Sequence, residues 1–408
     1  MRSLVTSRPR SAALVALLAA LAAGLVIAPR AGAEPQILRV PSEVPGIQEA
    51  IDAAQPGDLI LIAPGVYPGG YEVPGDKPGL TIRGLDRNAV ILDGEHTRDV
   101  GLKTLADDTT FENMTARNFL AHGFYWRSMT GYEGRYLTAY NNRLYGIYAF
   151  DSVDGIFEKS YASGSGDAAF YIGQCRPCDA VIDDVVAEYS ALGYSGTNAG
   201  GNLTIGNSLW QNNATGIVPN SLDSQQDPPQ RGGTHIVGNV IANNGSANTP
   251  GEGIAGAVIG HGVGIAGGED NVVEGNVVAN NDKYGVVIFP IPGGENVYPP
   301  NDNSVVDNEL SGNGAADLAL SVGTGTGNCF SGNEHSSSAP AEIETQYPCS
   351  GGGLGDVPLV GDPAVGATLA SDFAVASAGL SERPSYADMP EPGPQPTMPN
   401  PDPEAGQG

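Results

Sequence analysis

Short runs of alternating apolar and polar residues recur along most of the chain, and one position in each run is a small residue in all coils but one. The recurring position falls at Ala116, Ala139, Ala162, Ala187, Trp210, Ala242, Ala279, Ser311 and Ser331. The interval is nearly constant as far as Trp210, and the three intervals after it are longer, which indicates coils that carry inserted loops. The pattern predicts a solenoid of about twelve turns rather than the two or three domains that the length suggests.

A second landmark follows several residues later in each coil, as a small residue and then an apolar one. It stands at Gly123-Phe124, Gly146-Ile147, Ala169-Phe170, Gly193-Tyr194, Gly216-Ile217, Gly264-Ile265 and Gly285-Val286. Side chains alternate between the two faces of a strand, so we expect the apolar residues to point inward and to stack from coil to coil. Trp126, Ala149 and Ile172 lie two positions further and should point inward as well.

A polar column accompanies these strands. It consists of Asn113, Asp184, Asn207, Asn239, Asn276, Asn308 and Asn328. Asn tolerates the left-handed turn conformation and bonds to neighbouring backbone. The column predicts a ladder of stacked asparagines at one turn of the coil.

The segment before the repeats supplies the start of the coil. Apolar residues at helical spacing predict a helix over 45–55, and strands are expected within 57–67, 79–84 and 89–94. The helix would cover the open end of the stacked sheets. This opening, IQEAIDAAQPGDLILIAPGVY followed by LTIRG and ILDG, resembles the pectate-lyase-like β-helix superfamily, and the likeness extends over about residues 41–335.

The resemblance implies an all-β fold, a right-handed parallel β-helix with a short N-terminal capping helix. Many members of that superfamily cleave, epimerise or bind acidic polysaccharides. Gly260-His261-Gly262 and Asp183-Asp184 resemble two elements of its polygalacturonase-like hydrolases, but the companion elements are absent and the two lie too many coils apart to share a site. We therefore interpret His261 as part of a glycine-rich loop and Asp184 as a member of the ladder.

The two ends of the chain are expected to lie outside the coil. Residues 1–33 have a basic start, an apolar stretch and a small-residue cleavage site, which predicts a secretory signal peptide; an uncleaved anchor is the alternative. No other apolar run is long enough to span a membrane, so the mature protein should be secreted. The β-helix should occupy 34–350 and an extension 351–380, and the proline-rich composition of 381–408 predicts a disordered tail.

The mature chain is strongly acidic. Loss of four arginines with the signal leaves 15 basic and 46 acidic residues, a net charge of −31, which disfavours binding to nucleic acid. Calcium is the one cofactor that this charge suggests, and a solvated acidic surface is the alternative. In an oxidising compartment the four cysteines should form two local disulfides, Cys175–Cys178 and Cys329–Cys349.

Candidate ligand-binding residues follow from the outward positions of three coils. Tyr125, Tyr148 and Tyr171 recur at the interval of one coil and should form an exposed column, with Phe150 next to them. Beyond them Ser128, Asp151, Gln174 and Asn198 form a polar column. Rings cover sugar faces while polar groups bond hydroxyls, so the pattern predicts a polysaccharide ligand; a tyrosine ladder that only stabilises the coils is the alternative.

If catalysis occurs, Arg127 and Asp151 are the first candidates, because lyases of the superfamily typically use an Arg base and calcium held by acids. Loops at 174–179, 220–233 and 289–300 leave the coil after the same strand and could wall a groove. The function predicted is binding of an extracellular polysaccharide, and whether the protein also processes it, as a lyase or a hydrolase, is left open. The alternative is a non-catalytic surface or interaction module.

Overall fold

The computed structural model describes residues 35–223, 232–251, 258–292, 294–349, 361–379 and 383–405. The predicted signal peptide lies outside the described residues, as do 224–231 in the second predicted loop. Pro35–Gly408 is one compact unit, built on three long parallel sheets whose strands follow one another in turn. This architecture is the parallel β-helix that the repeats predicted.

Each sheet receives one strand per coil. Sheet A has twelve strands: Ile37–Val40, Leu59–Ile62, Thr81–Gly84, Thr109–Glu112, Thr130–Arg135, Val153–Glu158, Ala180–Asp183, Leu203–Gly206, Thr234–Val237, Val272–Glu274, Ser304–Val306 and Cys329–Ser331. Sheet B has ten: Gly65–Tyr67, Val90–Asp93, Thr115–Arg117, Thr138–Tyr140, Tyr161–Ser163, Val186–Glu188, Leu209–Gln211, Val240–Ala242, Val277–Ala279 and Glu309–Ser311. Sheet C has eleven: Tyr71–Val73, Val100–Thr104, His122–Arg127, Tyr145–Phe150, Ala168–Gly173, Leu192–Thr197, Thr215–Asn220, Val263–Ala266, Tyr284–Phe289, Ala316–Leu320 and Ser338–Ala339.

Few other elements occur in the described residues. Helix α1 (Ile47–Ala53) stands where a helix was predicted and buries Ile47, Ala50 and Ile51 beside the first strands, while its capping role stays a prediction. Helices α2 (Ile343–Gln346) and α3 (Pro363–Gly379) follow the last coils, and Tyr386–Asp388 is a 3₁₀ turn. Ile291–Pro292 and Val297–Tyr298 form an antiparallel hairpin. No described helix has both the length and the apolar character that a membrane crossing requires.

The interior is a stack of apolar side chains, as predicted. Phe124, Ile147, Phe170, Tyr194 and Ile217 are fully buried and in register, and so are Trp126, Ala149 and Ile172. Val263, rather than the predicted Ile265, pairs with Ile217 and continues the first column. Ile265 lies two residues further along the strand and therefore also faces the interior.

The predicted small-residue column is wrong after Trp210. The residues that stack on Trp210 are Ile241, Val278 and Leu310, one position earlier than Ala242, Ala279 and Ser311, and Ser331 lies in sheet A. The prediction was misaligned by one residue because Asn239, which faces the interior, precedes Ala242 by the same three residues by which the turn residue Asn113 precedes Ala116.

The asparagine column divides for the same reason. Asn113, Asp184 and Asn207 occupy left-handed turn positions. Asn239, Asn276 and Asn308 face the interior, where each side chain accepts from one coil and donates to the next, and Asn333 ends this ladder. Asn328 belongs to a separate ladder with Asn271 and Asn303. The ladder side chains thereby bond to buried backbone groups of the turn.

Two further predictions concern the chain ends. The disulfides Cys175–Cys178 and Cys329–Cys349 are both present. The tail was predicted to be disordered, but residues 383–405 lie along the coil. Arg87 donates to the Pro396 carbonyl at 2.9 Å, and Arg39 pairs with Asp402 at 2.9 Å. Composition missed this order because polar side chains of the coil, rather than apolar residues of the tail, make the contacts.

Candidate functional site

The outward face of sheet C changes character along the coil. One column runs through Glu72, Lys103, Tyr125, Tyr148, Tyr171, Ser195, Val218, Gly264, Val287 and Ala319. An ion pair between Lys103 and Glu72, 2.8 Å long, precedes the tyrosines, and small or apolar residues follow them. The predicted stacking of the three tyrosines is confirmed.

A second outward column runs beside the first, and each of its members lies three residues earlier in the chain than the member of the first column in the same coil. It contains Val100, His122, Tyr145, Ala168, Leu192, Thr215, His261, Tyr284 and Ala316. Gly146 between the columns explains the spacing, because a Cβ there would lie 2.7 Å from the Ala169 carbonyl oxygen. Gly123 has the same contact with the next coil, at 2.7 Å. Because glycine has no side chain, Gly146 and the following Ile147 can both face the interior. Tyr145 and Tyr148, on either side of them, then both face outward.

The two columns together form one aromatic surface, which we call the aromatic platform. Its members are His122, Tyr125, Tyr145, Tyr148, Phe150 and Tyr171. Tyr125 stacks on Tyr148 with centroids 4.7 Å apart, and the His122 ring lies 4.6 Å from that of Tyr148. Rings at these separations attract one another beyond their hydrophobic burial.

The tyrosine column is less exposed than predicted. Tyr125, Tyr145 and Phe150 are partly exposed, whereas Tyr148 is 9% exposed and Tyr171 only 3%. The second column supplies the cover, because Tyr145 lies over Tyr148 and close to Tyr171. The accessible part of the platform therefore consists of His122, Tyr125, Tyr145 and Phe150.

The platform is uncharged at neutral pH. Burial lowers the pKa of His122 to about 4 and raises that of Tyr125 and, further, that of Tyr145. His122 Nδ1 is buried without a hydrogen-bond partner. Tyr145 Oη donates to Asp167 Oδ2 at 2.9 Å. A neutral surface of this kind suits a ligand that has an apolar face with hydroxyl groups at its rim.

The predicted polar column is a column of turn residues. Ser128, Asp151, Gln174 and Asn198 all have φ between 52° and 57°. Ser128 Oγ donates to Asp151 Oδ2 at 2.9 Å, while Asn198 is fully buried and bonds both ways to Leu222. Gln174 is 9% exposed and bonds to Tyr171. Asn198 and Gln174 therefore support the turn, and of the four only Ser128 and Asp151 are exposed.

The predicted catalytic residues Arg127 and Asp151 lie at the edge of the platform, and both are exposed. No hydrogen bond or ion pair joins them in the described structure. Across the described ranges, no group of three or more His, Cys, Asp and Glu side chains could hold a metal ion. Calcium binding and catalysis by this pair stay predictions.

Loops and helix α3 enclose the other half of the sheet C face. Val365 and Leu369 of α3 are buried against it, and Phe373 packs beside them. Asp223 holds the hairpin of the predicted third loop by accepting from Tyr298 and Asn296, and these bonds lower the pKa of Asp223 to about 2. A cavity of about 100 Å³ remains between platform and helix, lined by Tyr145, Asp167, Leu192, Ser195, Thr197, Val218, Asn220, Leu222, Val258, Ile291 and Phe373.

The remaining sequence candidates lie apart from the platform. Asp183 accepts from Asn207 Nδ2 at 2.8 Å on sheet A, and Asp184 is a turn residue. His261 is an outward strand-edge residue, fully buried beside Tyr284 and Phe289. His122 and Tyr145 were missed from the sequence; their separation, equal to that between successive tyrosines of the column, was the available signal.

Comparison with known proteins finds the same parallel β-helix architecture in other proteins. Residues 122–290 match the family model for the right-handed β-helix region. An alginate lyase from Paenibacillus sp. str. FPU-7 superimposes with a TM-score of 0.53 and 16% identity, over 73% of this chain and 99% of the other. The A-module of mannuronan C-5 epimerase AlgE6 from Azotobacter vinelandii gives a TM-score of 0.47 and 14% identity, over 71% and 90% of the two chains. A comparison with curated proteins found no match.

Identities of this order establish a shared fold and leave activity open. The family match, the three-sheet topology and the structural similarity agree with the resemblance carried by the N-terminal segment and the repeats. The chain has the right-handed parallel β-helix fold, and residues 122–290 match the family model for that region.

Proposed function

We propose that this protein binds a polysaccharide on the aromatic platform. The observation that carries the proposal is the partly exposed group of His122, Tyr125, Tyr145 and Phe150 on neighbouring coils. Adjacent coils lie about 4.8 Å apart, so the four accessible rings, which belong to two coils, are separated by about 5 Å along the coil, near the length of one sugar unit. Similarity to polysaccharide-acting β-helix proteins supports the same class of ligand.

The rim of the platform supplies polar groups for sugar hydroxyls. Asp151 and Arg127 lie on one side, and Asp167 lies on the other, next to Tyr145. A carboxylate accepts from hydroxyls and a guanidinium donates to hydroxyl or carboxylate oxygens. Rings below and polar groups at both edges form the usual arrangement of a ligand site that is largely apolar.

Processing of the bound chain would depend on Arg127 and Asp151. In a lyase reaction the neutral form of Arg127 would take the proton from the sugar carbon next to the carboxylate while the glycosidic C–O bond breaks. The electron pair of the C–H bond forms the double bond in the sugar, and the leaving oxygen takes a proton from the resulting guanidinium or from water, which gives the free hydroxyl on the departing chain. The alternative, a non-catalytic binding module, is favoured by the lack of contact between the two residues in the described structure and by the hydrogen bond that Ser128 gives Asp151.

The protein is proposed to act outside the cell. The apolar, basic-flanked segment at 1–33 supports export, and two disulfides are typical of oxidising compartments. The strong negative charge of the mature chain suits solubility there.

A direct screen tests the proposal. Purified mature protein is titrated calorimetrically with alginate, pectate, xylan and a mixed-linkage β-glucan, and each mixture is assayed for new reducing ends and for unsaturated products. Binding of at least one polymer supports the proposed function. Unsaturated products identify a lyase, reducing ends alone identify a hydrolase, and binding without products identifies a binding module. Absence of binding to all four contradicts the proposal.

A further inference from the structure

The His–Tyr pair of the platform occurs a second time on the same face. His122 and Tyr145 occupy the second outward column on adjacent coils, with ring centroids 5.4 Å apart. His261 and Tyr284 occupy that column on two later coils, with centroids also 5.4 Å apart and an interplanar angle of 25°. The first pair is partly exposed, whereas His261 is completely buried and Tyr284 is 4% exposed.

The second pair is buried, and its histidine lacks hydrogen-bond partners among the described residues. Both ring nitrogens of His261 are buried without a hydrogen-bond partner. Buried polar groups in proteins are nearly always bonded, so an imidazole with two free nitrogens is better suited to a state in which it is uncovered. The pKa of this ring is lowered to about 3 by burial and by the neighbouring Lys283, so it is neutral.

Helix α3 covers this region mainly with small side chains. Its large apolar side chains on this face, Val365, Leu369 and Phe373, recur once per helical turn, and most of its other residues are Ala, Gly or Ser. Polar contacts join it to the coil at Lys283, whose Nζ lies 2.6 Å from Asp372 Oδ1, and at Tyr284, which bonds to Thr368. The cavity beneath Phe373 leads from the platform toward the covered half, and Ser195, Thr197 and Asn220 line it.

We propose that His261 and Tyr284 belong to a second sugar subsite on sheet C, which α3 covers and which a long polysaccharide chain opens by displacing the helix. The inference rests on the proposed function. The two His–Tyr pairs are five coils apart, about 24 Å, so a trisaccharide on the platform does not reach the second pair, and a chain of about ten sugar units does.

The experiment compares two lengths of chain on two proteins. Alginate and xylan oligomers, each as a trimer and as a chain of about ten units, are titrated into wild type and into Asp372→Asn, which removes the ion pair to Lys283. Hydrogen exchange of residues 363–379 is followed in each mixture. Glu309→Gln, an exposed acid on sheet B, is the matched control. Phe373→Ala is a second way to loosen α3 without a change of charge.

The long chain should accelerate exchange in α3, and Asp372→Asn should bind it about fivefold more tightly, the effect of losing a partly exposed ion pair in the closed state. The trimer should bind both proteins equally and leave exchange unchanged. Equal effects of both lengths, with α3 equally protected throughout, overturn the inference and leave the proposed function intact. Failure of every oligomer to bind overturns both.

Discussion

Tyr145 lies flat on Tyr148, with ring centroids 4.3 Å apart and 4° between the planes, although the two are three residues apart on one strand. Simple alternation would place them on opposite faces of the sheet. The inward turn at Gly146 and Ile147 brings both rings to the outer face, and the ring of Tyr125 joins them from the preceding coil. The aromatic platform is thus a product of the coil geometry as much as of the residue types.

The turn at Gly146 should not tolerate a side chain. Gly146→Ala would place a Cβ 2.7 Å from the Ala169 carbonyl oxygen, and we expect a loss of about 2 kcal/mol in the free energy of unfolding. Gly206→Ala is the matched control, since its Cβ would meet nothing closer than 3.4 Å. Urea unfolding measures both. Equal stability of the two variants would contradict this role of the glycine column.

The tail should depend on Arg87. Its buried guanidinium donates to the carbonyls of Leu137, Lys159 and Pro396 and to Thr138 Oγ1. Arg87→Lys cannot reach all four acceptors, so we expect a loss of about 2–3 kcal/mol in unfolding free energy and faster hydrogen exchange around 389–398. Arg98→Lys, at an exposed ion pair with Glu95, should change neither quantity. Unchanged exchange in the tail of the Arg87 variant would refute the prediction.

His261 should make stability fall on acidification. Its pKa is about 3 in the folded protein and ordinarily about 6.5, so the unfolded chain binds the extra proton between these values. Stability should therefore be complete above pH 6.5 and decline as the pH falls toward 3. His261→Phe keeps a ring over Tyr284 and should lose about 3 kcal/mol less than wild type between pH 7 and pH 4. Urea unfolding at both pH values tests this, and equal losses would contradict it.

The hydrogen bond between Tyr145 and Asp167 should contribute to stability separately from the ring. Tyr145→Phe retains the stack on Tyr148 and removes the bond, which should cost about 1–2 kcal/mol. Tyr145→Ala removes both and should cost more, because the buried face of Tyr148 is then uncovered. Thermal unfolding of the two variants separates the terms. A Phe variant as unstable as the Ala variant would show that the ring contributes little.

The repeats predicted the coil, the inward columns and the stacked tyrosines because these depend on the interval of one coil, which the sequence displays directly. His122 and Tyr145 could not be identified by strand alternation, which the Gly–apolar turn breaks. The contact of α3 with Tyr284 and Lys283 was also hidden, since an Ala-rich helix has few large side chains that indicate its partner. The tail was misjudged because its order depends on Arg87, Asn113 and Asn141, which are distant in sequence.

Affinity for polysaccharide tests the central claim most directly. Wild type, Tyr125→Ala and Tyr136→Ala are titrated calorimetrically with alginate, pectate, xylan and β-glucan. Tyr125 is a partly exposed ring of the platform, and Tyr136 is a partly exposed tyrosine on the turn after sheet A. We expect wild type and Tyr136→Ala to bind one polymer equally and Tyr125→Ala to bind it about fivefold more weakly, the effect of about 1 kcal/mol from one ring. Equal affinity of all three proteins, or no binding by any, would contradict the assignment of the platform as a polysaccharide site.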